Sequence, residues 1–206
     1  METIYFEDDL FIWKKKLDLT SDKKLILKEA LDVIDTNKNN HNFDAYNHRL
    51  YFSYDENNKI DESFLDKILN LGIESCKDII DKKYNTILCS SWVNLVRANE
   101  PIQPGYKNKK ERQYHNHVEL SNFFEPTFTF VYYIQMPDVL ENYEGHLFFK
   151  SKNEIEYSIL PIEDELIIMK GDAPHFPNMA PKSNLDRIVL AANIGFQFIK
   201  KEKSIL

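Results

Sequence analysis

Arg187-Ile188-Val189-Leu190-Ala191-Ala192-Asn193-Ile194-Gly195-Phe196-Gln197-Phe198 reads as an apolar β-strand opened by an arginine. Side chains alternate across a strand, so Arg187, Val189, Ala191 and Asn193 share one face. Upstream, Thr86 to Val96, Phe128 to Gln135, Gly145 to Phe149, Ile155 to Leu160 and Glu165 to Met169 have the same character. They are short runs rich in Ile, Val, Phe and Tyr, separated by Pro, Gly, Asn and Asp. Before Asn85 the pattern is mixed. Ile4 to Phe6 suits an edge strand. Ser21-Asp22 precedes a helical pattern with Leu25, Leu27, Ala30, Leu31 and Ile34 as its apolar stripe. A second helix is expected from Asp61-Glu62-Ser63, burying Phe64, Leu65, Ile68, Leu71, Ile73, Ile79 and Ile80, with Gly72 as an interruption. Six or more strands after two helices predict a mainly β fold with flanking helices: a barrel or jelly roll braced by N-terminal α-helices.

The 206 residues suffice for one domain, 1–206, with 1–84 as helical support and 85–198 as the β core. A hydrophobic fraction of 43% and an aromatic fraction of 13% supply a packed interior. The formal charge of −7 argues against a uniformly basic nucleic-acid-binding surface. Lys14-Lys15-Lys16 and Lys107-Asn108-Lys109-Lys110 read as solvated faces and loops, as Asn37 to Asn42 reads as a loop. Cys76 and Cys89 form neither a disulfide framework nor a zinc-finger spacing; they suit buried thiols in a reducing compartment. No apolar run approaches the ~20 residues of a membrane span. The acidic N-terminus lacks the features of a secretory signal, so cytoplasmic residence is expected.

Tyr114-His115-Asn116-His117-Val118-Glu119 concentrates potential ligands. In an extended segment His115, His117 and Glu119 share a face, but positions 115 and 119 are about 13 Å apart, too far for one ion. Either 115 with 117 or 117 with 119 can bind, and His117 belongs to both pairs. A third histidine, His175, follows a Gly-Asp turn in Met169-Lys170-Gly171-Asp172-Ala173-Pro174-His175. Two ligands close in sequence and one distant histidine is the plan of a facial triad, which leaves iron positions open. Arg187 follows twelve residues later (187 − 175 = 12). Its fork suits a carboxylate in a dry pocket, and the small residues between it and Asn193 leave room for a small molecule. His41, His48 and His146 read as ordinary core or surface residues. Tyr132 and Tyr133 suit cross-strand packing or, for either, contact with a bound small molecule. Trp92 suits the core, and Asn94 either a pocket hydrogen bond or a satisfied strand amide.

This array resembles the 2-oxoglutarate/Fe(II)-dependent oxygenase family, in particular its small bacterial and phage, prolyl-hydroxylase-like members. The matching stretches are Ser91-Trp92-Val93-Asn94, His115-Asn116-His117, Val131-Tyr132-Tyr133, Gly171 to His175, and Arg187 to Asn193. Glu144-Gly145-His146-Leu147-Phe148-Phe149 is similar to a prolyl-hydroxylase strand. The resemblance covers roughly residues 85–198 and implies for them a double-stranded β-helix (jelly roll). It implies an enzyme, a dioxygenase that hydroxylates its substrate while oxidatively decarboxylating 2-oxoglutarate to succinate and CO2, with Fe(II), 2-oxoglutarate and O2 as cofactor and cosubstrates. It also implies His115, His117 and His175 as metal ligands, and Arg187, Asn94, Tyr133 and Asn193 as contacts for the cosubstrate. Where the family usually carries a carboxylate two residues after the first histidine, this chain has His117. Either the site has three histidines, or Glu119 joins His117 in place of His115; the His-x-His of the related small oxygenases favours the first. A small-molecule or peptidyl substrate is implied. The acidic loop Pro137 to Glu144 and the basic loop Lys107 to Arg112 are expected to flank the mouth. Two rival readings are a cupin-type three-histidine dioxygenase without 2-oxoglutarate and a non-catalytic jelly-roll binding module.

Overall fold

A computed structural model describes residues 1–7, 10–36, 45–54, 62–80, 84–98, 114–117, 124–138, 142–178, 180 and 182–198. The elements run β1 (Glu2–Glu7), β2 (Leu10–Lys16), a 3-10 turn (Thr20–Asp22), α1 (Lys23–Thr36), β3 (Ala45–Tyr54) and α2 (Phe64–Ile79). Then come β4 (Tyr84–Val96), β5 (Thr127–Gln135), β6 (Leu147–Lys150), β7 (Glu156–Ile159), β8 (Glu165–Lys170), β9 (His175–Pro177) and β10 (Arg187–Phe198). A seven-stranded sheet has the order β1-β2-β8-β5-β10-β4-β3, and a three-stranded sheet the order β7-β6-β9. The pairings are antiparallel. The two sheets enclose one apolar layer and the helices cover the outside of the larger sheet, as the jelly-roll reading expects.

Alternation within the central strands builds both layers. In β10, Ile188, Leu190, Ala192, Ile194 and Phe196 face the helices, packing with Ile26, Ala30, Ile68, Leu69 and Ile73. The intervening Val189 and Ala191 face the smaller sheet, where they meet Leu147, Phe149 and Ile159. Strand β5 divides likewise: Phe128, Phe130, Tyr132 and Ile134 lie outward, Val131 and Tyr133 inward. Strands covered on both faces need no polar side, which is why these runs are so continuously apolar.

Both expected helices form, with two amendments. Helix α1 buries Ile26, Ala30 and Ile34, spaced four apart, while Leu25 and Leu31 are 51% and 42% exposed. The real stripe is therefore rotated from the expected one by part of a turn. Helix α2 starts as read, with Ser63 Oγ accepting the Asp66 N–H at 3.2 Å. It runs through Gly72 without interruption. A Cβ there would lie 2.3 Å from a Phe130 ring carbon, so the glycine lets the helix backbone rest directly on β5.

Strands β2 and β3 escaped the sequence reading. The lysines that ended the apolar run in β2 are paired by tertiary neighbours: Lys14 Nζ meets Glu165 Oε1 at 2.8 Å, and Lys15 Nζ donates to Ser75 Oγ at 3.0 Å. Strand β3 carries Arg49, whose Nε and Nη2 donate to the two Asp66 oxygens at 3.1 and 2.7 Å. Asp66 is fully buried, and this fork ties α2 to the sheet. Residues 1–84 thus supply three strands of the large sheet as well as both helices. Cys76 and Cys89 are free and buried in the helix-facing layer. Among the described residues no helix is long and apolar enough to cross a membrane.

Candidate metal centre

Strand β8 ends at Lys170, the chain turns through Gly171 to Pro174, and β9 begins at His175. Residues 114–117 lie alongside. His115 N–H donates to the His175 carbonyl at 3.0 Å, His175 N–H returns to the His115 carbonyl at 2.9 Å, and His117 N–H donates to the Gly171 carbonyl at 2.7 Å. This pairing is antiparallel and continues the smaller sheet past β9. His175 is in register with Phe149, an inward-facing residue, so the inner face carries the imidazoles. Tyr114 and Phe176 lie against each other, ring centroids 6.4 Å apart.

The close approach depends on Gly171. Its N–H donates to the Thr127 carbonyl at 3.0 Å, and a Cβ would stand 2.5 Å from Thr127 Oγ1. Sequence reading assigned this glycine only to a turn; its distance from Thr127 is a tertiary fact.

His115, His117 and His175 converge, each offering a ring nitrogen, with these atoms all within 4.8 Å of one another. Nitrogens sharing one ion at about 2.1 Å lie roughly 3 Å apart, so small ring movements complete the arrangement. His175 is buried, His117 half-buried and His115 exposed, which opens the group to solvent on one side. Burial pushes the His117 pKa down to about 4, with the neighbouring His115 adding to the effect. Burial likewise drives His175 well below its ordinary value, followed by repulsion from His115 and His117. His175 Nδ1 lies 3.0 Å from the Ala173 carbonyl. A carbonyl only accepts, so Nδ1 carries the proton and Nε2 keeps its lone pair for a metal. The donor set therefore fits a divalent transition metal: three imidazoles, His175 oriented from behind by the Ala173 carbonyl, with one side open. Trp92, expected in the core, is half-buried with its ring 5.5 Å from His117.

Arg187 opens β10 on the same face as Val189 and Ala191 and is 4% exposed. Its Nη1 donates to the Asn178 carbonyl at 3.2 Å. Tyr133 is buried opposite Val189 in the inner layer; burial raises its hydroxyl pKa and the nearby Arg187 opposes that rise. Asn193 accepts a hydrogen bond from Thr129 Oγ1 at 2.9 Å. Asn94 is half-buried and in register with Val189. Tyr132 lies on the other side of the sheet, its hydroxyl donating to Asp164 Oδ1 at 2.9 Å, and so stands apart from this group.

His48 and His146 stand outside the three-histidine group, as expected. His48 Nδ1 meets Ser91 Oγ at 3.0 Å, and His146 Nδ1 meets Ser158 Oγ at 3.1 Å. Glu119, His41, Asn37 to Asn42 and the loop Lys107 to Arg112 lie outside the described residues. Of the loop Pro137 to Glu144, Asp138 is fastened to the turn before β10. Its Oδ1 accepts from Ser183 Oγ at 2.7 Å and from the Asn184 N–H at 2.9 Å, which holds its carboxyl down to about 2.

No protein-family model and no curated protein sequence matches the chain. Solved structures do. A Pseudomonas putida prolyl-4-hydroxylase superposes with a TM-score of 0.51 at 12% identity, covering 92% of this chain and 93% of that one. IDO from Bacillus thuringiensis gives 0.54 at 10% identity, covering 92% and 90%. The non-heme alpha-ketoglutarate-dependent carbocyclase SnoK from nogalamycin biosynthesis gives 0.51 at 8% identity, covering 90% and 79%. At such identities the likeness establishes the fold, a jelly roll of the kind these enzymes share.

Proposed function

We propose that the chain is an Fe(II)- and 2-oxoglutarate-dependent dioxygenase, a hydroxylase acting on a small-molecule or peptidyl substrate. The observation that carries this reading is the convergence of His115, His117 and His175 within a fold whose inner wall also presents the buried Arg187. When bound, iron would supply the oxidative chemistry that turns 2-oxoglutarate, O2 and a substrate C–H group into succinate, CO2 and the hydroxylated substrate.

The chain's own residues do the rest. The three imidazoles hold the ion from one side and leave the remaining positions open. They bring no negative charge, so the dianionic cosubstrate balances the metal better here than beside a carboxylate ligand. The Arg187 fork pairs with the far carboxylate, while Tyr133, Asn94 and Asn193 line the wall between. Val189, Ala191 and Met169 keep that wall dry, which strengthens each charged contact.

A three-histidine ligand set also suits a cupin-type dioxygenase without 2-oxoglutarate, and a binding module would need no turnover. One experiment separates the three. Anaerobic protein loaded with Fe(II) is titrated with 2-oxoglutarate, watching the visible iron-to-ketoacid charge-transfer band, and succinate is measured after oxygen is admitted. The reading requires both signals, loss of both in His175→Ala, and a higher 2-oxoglutarate midpoint in Arg187→Ala. Iron binding with neither signal would favour the cupin-type reading instead, and failure to bind iron the binding module.

A further inference from the structure

Asn178 follows β9 directly and makes three bonds to three different places. Its N–H donates to the His146 carbonyl at 2.8 Å, its Nδ2 donates to the Tyr143 carbonyl at 2.8 Å, and its own carbonyl accepts from Arg187 Nη1 at 3.2 Å. The first two bonds clamp it to a demanding turn. Asn142 and Tyr143 both hold left-handed backbone, at φ 38° and 64°, and Gly145 does so at 71°. Successive side-chain-bearing residues stay in that region only when their surroundings hold them there. Part of that support is the Tyr143 ring, which lies 5.2 Å from the His146 ring and 6.1 Å from that of Phe148. The two bonds from Asn178 supply another part.

The third bond reaches Arg187. A guanidinium is a rigid planar fork, so fixing one Nη fixes the direction in which the remaining donors face. Asn178 and Arg187 also line the same small cavity, together with Val96 and Pro137. Asn178 stands three residues beyond His175. It thereby links the strand carrying a candidate ligand, the turn at 142–146 and the arginine that opens β10.

We propose that Asn178 is a positioning residue that sets the plane of the Arg187 guanidinium and, through it, the affinity for a dicarboxylate cosubstrate. The second half rests on the role given to Arg187 above. The side chain acts indirectly: Nδ2 anchors the residue to the Tyr143 turn, and the anchored carbonyl holds the arginine.

Two readouts test it. The Arg187 Nε–H resonance is followed in ¹⁵N-labelled, zinc-loaded protein, assigned by its absence in Arg187→Ala, and its exchange with water is measured. The 2-oxoglutarate midpoint is measured with Fe(II). Asn178→Ala is expected to speed that exchange and to raise the midpoint about tenfold, the scale of lost outer support for a site residue. Iron stoichiometry should not change, and Asn178→Gln, which keeps an amide donor, should recover part of both effects and serves if the alanine variant does not fold. Wild-type exchange and a wild-type midpoint in Asn178→Ala would overturn the proposal. If Arg187→Ala leaves the midpoint unchanged, the cosubstrate reading falls, and the exchange rate alone still decides whether Asn178 holds Arg187.

Discussion

Replacing Gly171 with alanine places a methyl group where β5, the turn after β8 and the His115–His117 segment meet. The new Cβ would stand 2.5 Å from Thr127 Oγ1, 3.0 Å from Thr127 Cβ and 3.4 Å from the His117 carbonyl oxygen. Ordinary contact between such atoms begins near ~3.5 Å, so the first approach is roughly an ångström too short. Rotating the Thr127 side chain relieves the hydroxyl contact but leaves its Cβ in place. Thr127 is held in the large sheet, whereas residues 114–117 join β9 through an isolated bridge. The displacement is therefore taken up largely by the segment carrying His115 and His117. Overpacking of this sort costs about 1–3 kcal/mol, and a ligand that loses its support costs about 10–100-fold in metal affinity. Thermal melts of the metal-free protein and anaerobic Fe(II) titration against a chromophoric chelator measure the two effects separately. Thr127→Ala removes the nearest atom, so the double variant should regain part of the lost affinity. Gly72→Ala, which collides with Phe130 on the helix side of the sheet, should lower stability and leave iron affinity per folded molecule unchanged. A Gly171→Ala protein with wild-type iron affinity would refute the reasoning.

Three further expectations follow from the same geometry. His115→Ala, His117→Ala and His175→Ala should each abolish an Fe(II) content of about one per chain, while Glu119→Ala keeps it; metal analysis of anaerobically loaded protein decides, and the reverse order for His115 and Glu119 would indicate a conventional carboxylate site. His117, at about 4, and His175, well below its ordinary value, both titrate lower in the folded protein than the 6.5 of a free imidazole. Stability of the metal-free protein is therefore complete above pH ~6.5 and is lost as pH falls toward ~4, because only the unfolded chain takes up protons there; a melting temperature constant from pH 7 to pH 4.5 would contradict this. Asp66→Ala should cost about 1.5–3 kcal/mol in urea denaturation, because among the described residues Glu62 alone is then left to pair with Arg49. That side chain keeps 34% of its surface exposed, which softens the loss; a change below ~1 kcal/mol would show the fork to be incidental.

The parts of this molecule that were legible in its sequence are those whose neighbours are themselves apolar. Strands β5 and β10 are covered on both faces, so their composition alone marks them. Strands β2 and β3 were not legible because Lys14, Lys15 and Arg49 are answered by Glu165, Ser75 and Asp66, residues up to 151 positions away (165 − 14 = 151). The stripe of α1 was misplaced for a related reason: Leu25 and Leu31 are apolar yet exposed, and nothing local distinguishes them from Ile26 and Ile34. At the site, the spacing of His115, His117 and His175 anticipated their convergence. The roles of Gly171 and Asn178 depend on distances to Thr127, Tyr143 and Arg187, which no local pattern encodes. Nor does any pattern reveal that Trp92, packed against the inner core, lies beside His117.

Because β10 places Ile188, Leu190, Ala192, Ile194 and Phe196 against the helices and Arg187, Val189, Ala191 and Asn193 toward the smaller sheet, its length is a shared constraint on folding and chemistry. Inserting or deleting a single residue in mid-strand would exchange the two sets beyond that point. Isoleucines would enter the pocket, or the arginine would be driven into the helical layer, and the core and the site would fail together. Substitutions can drift independently on the two faces, but an insertion or deletion cannot. Length variation among distant homologues is therefore expected in the connections flanking this strand and absent from the strand itself.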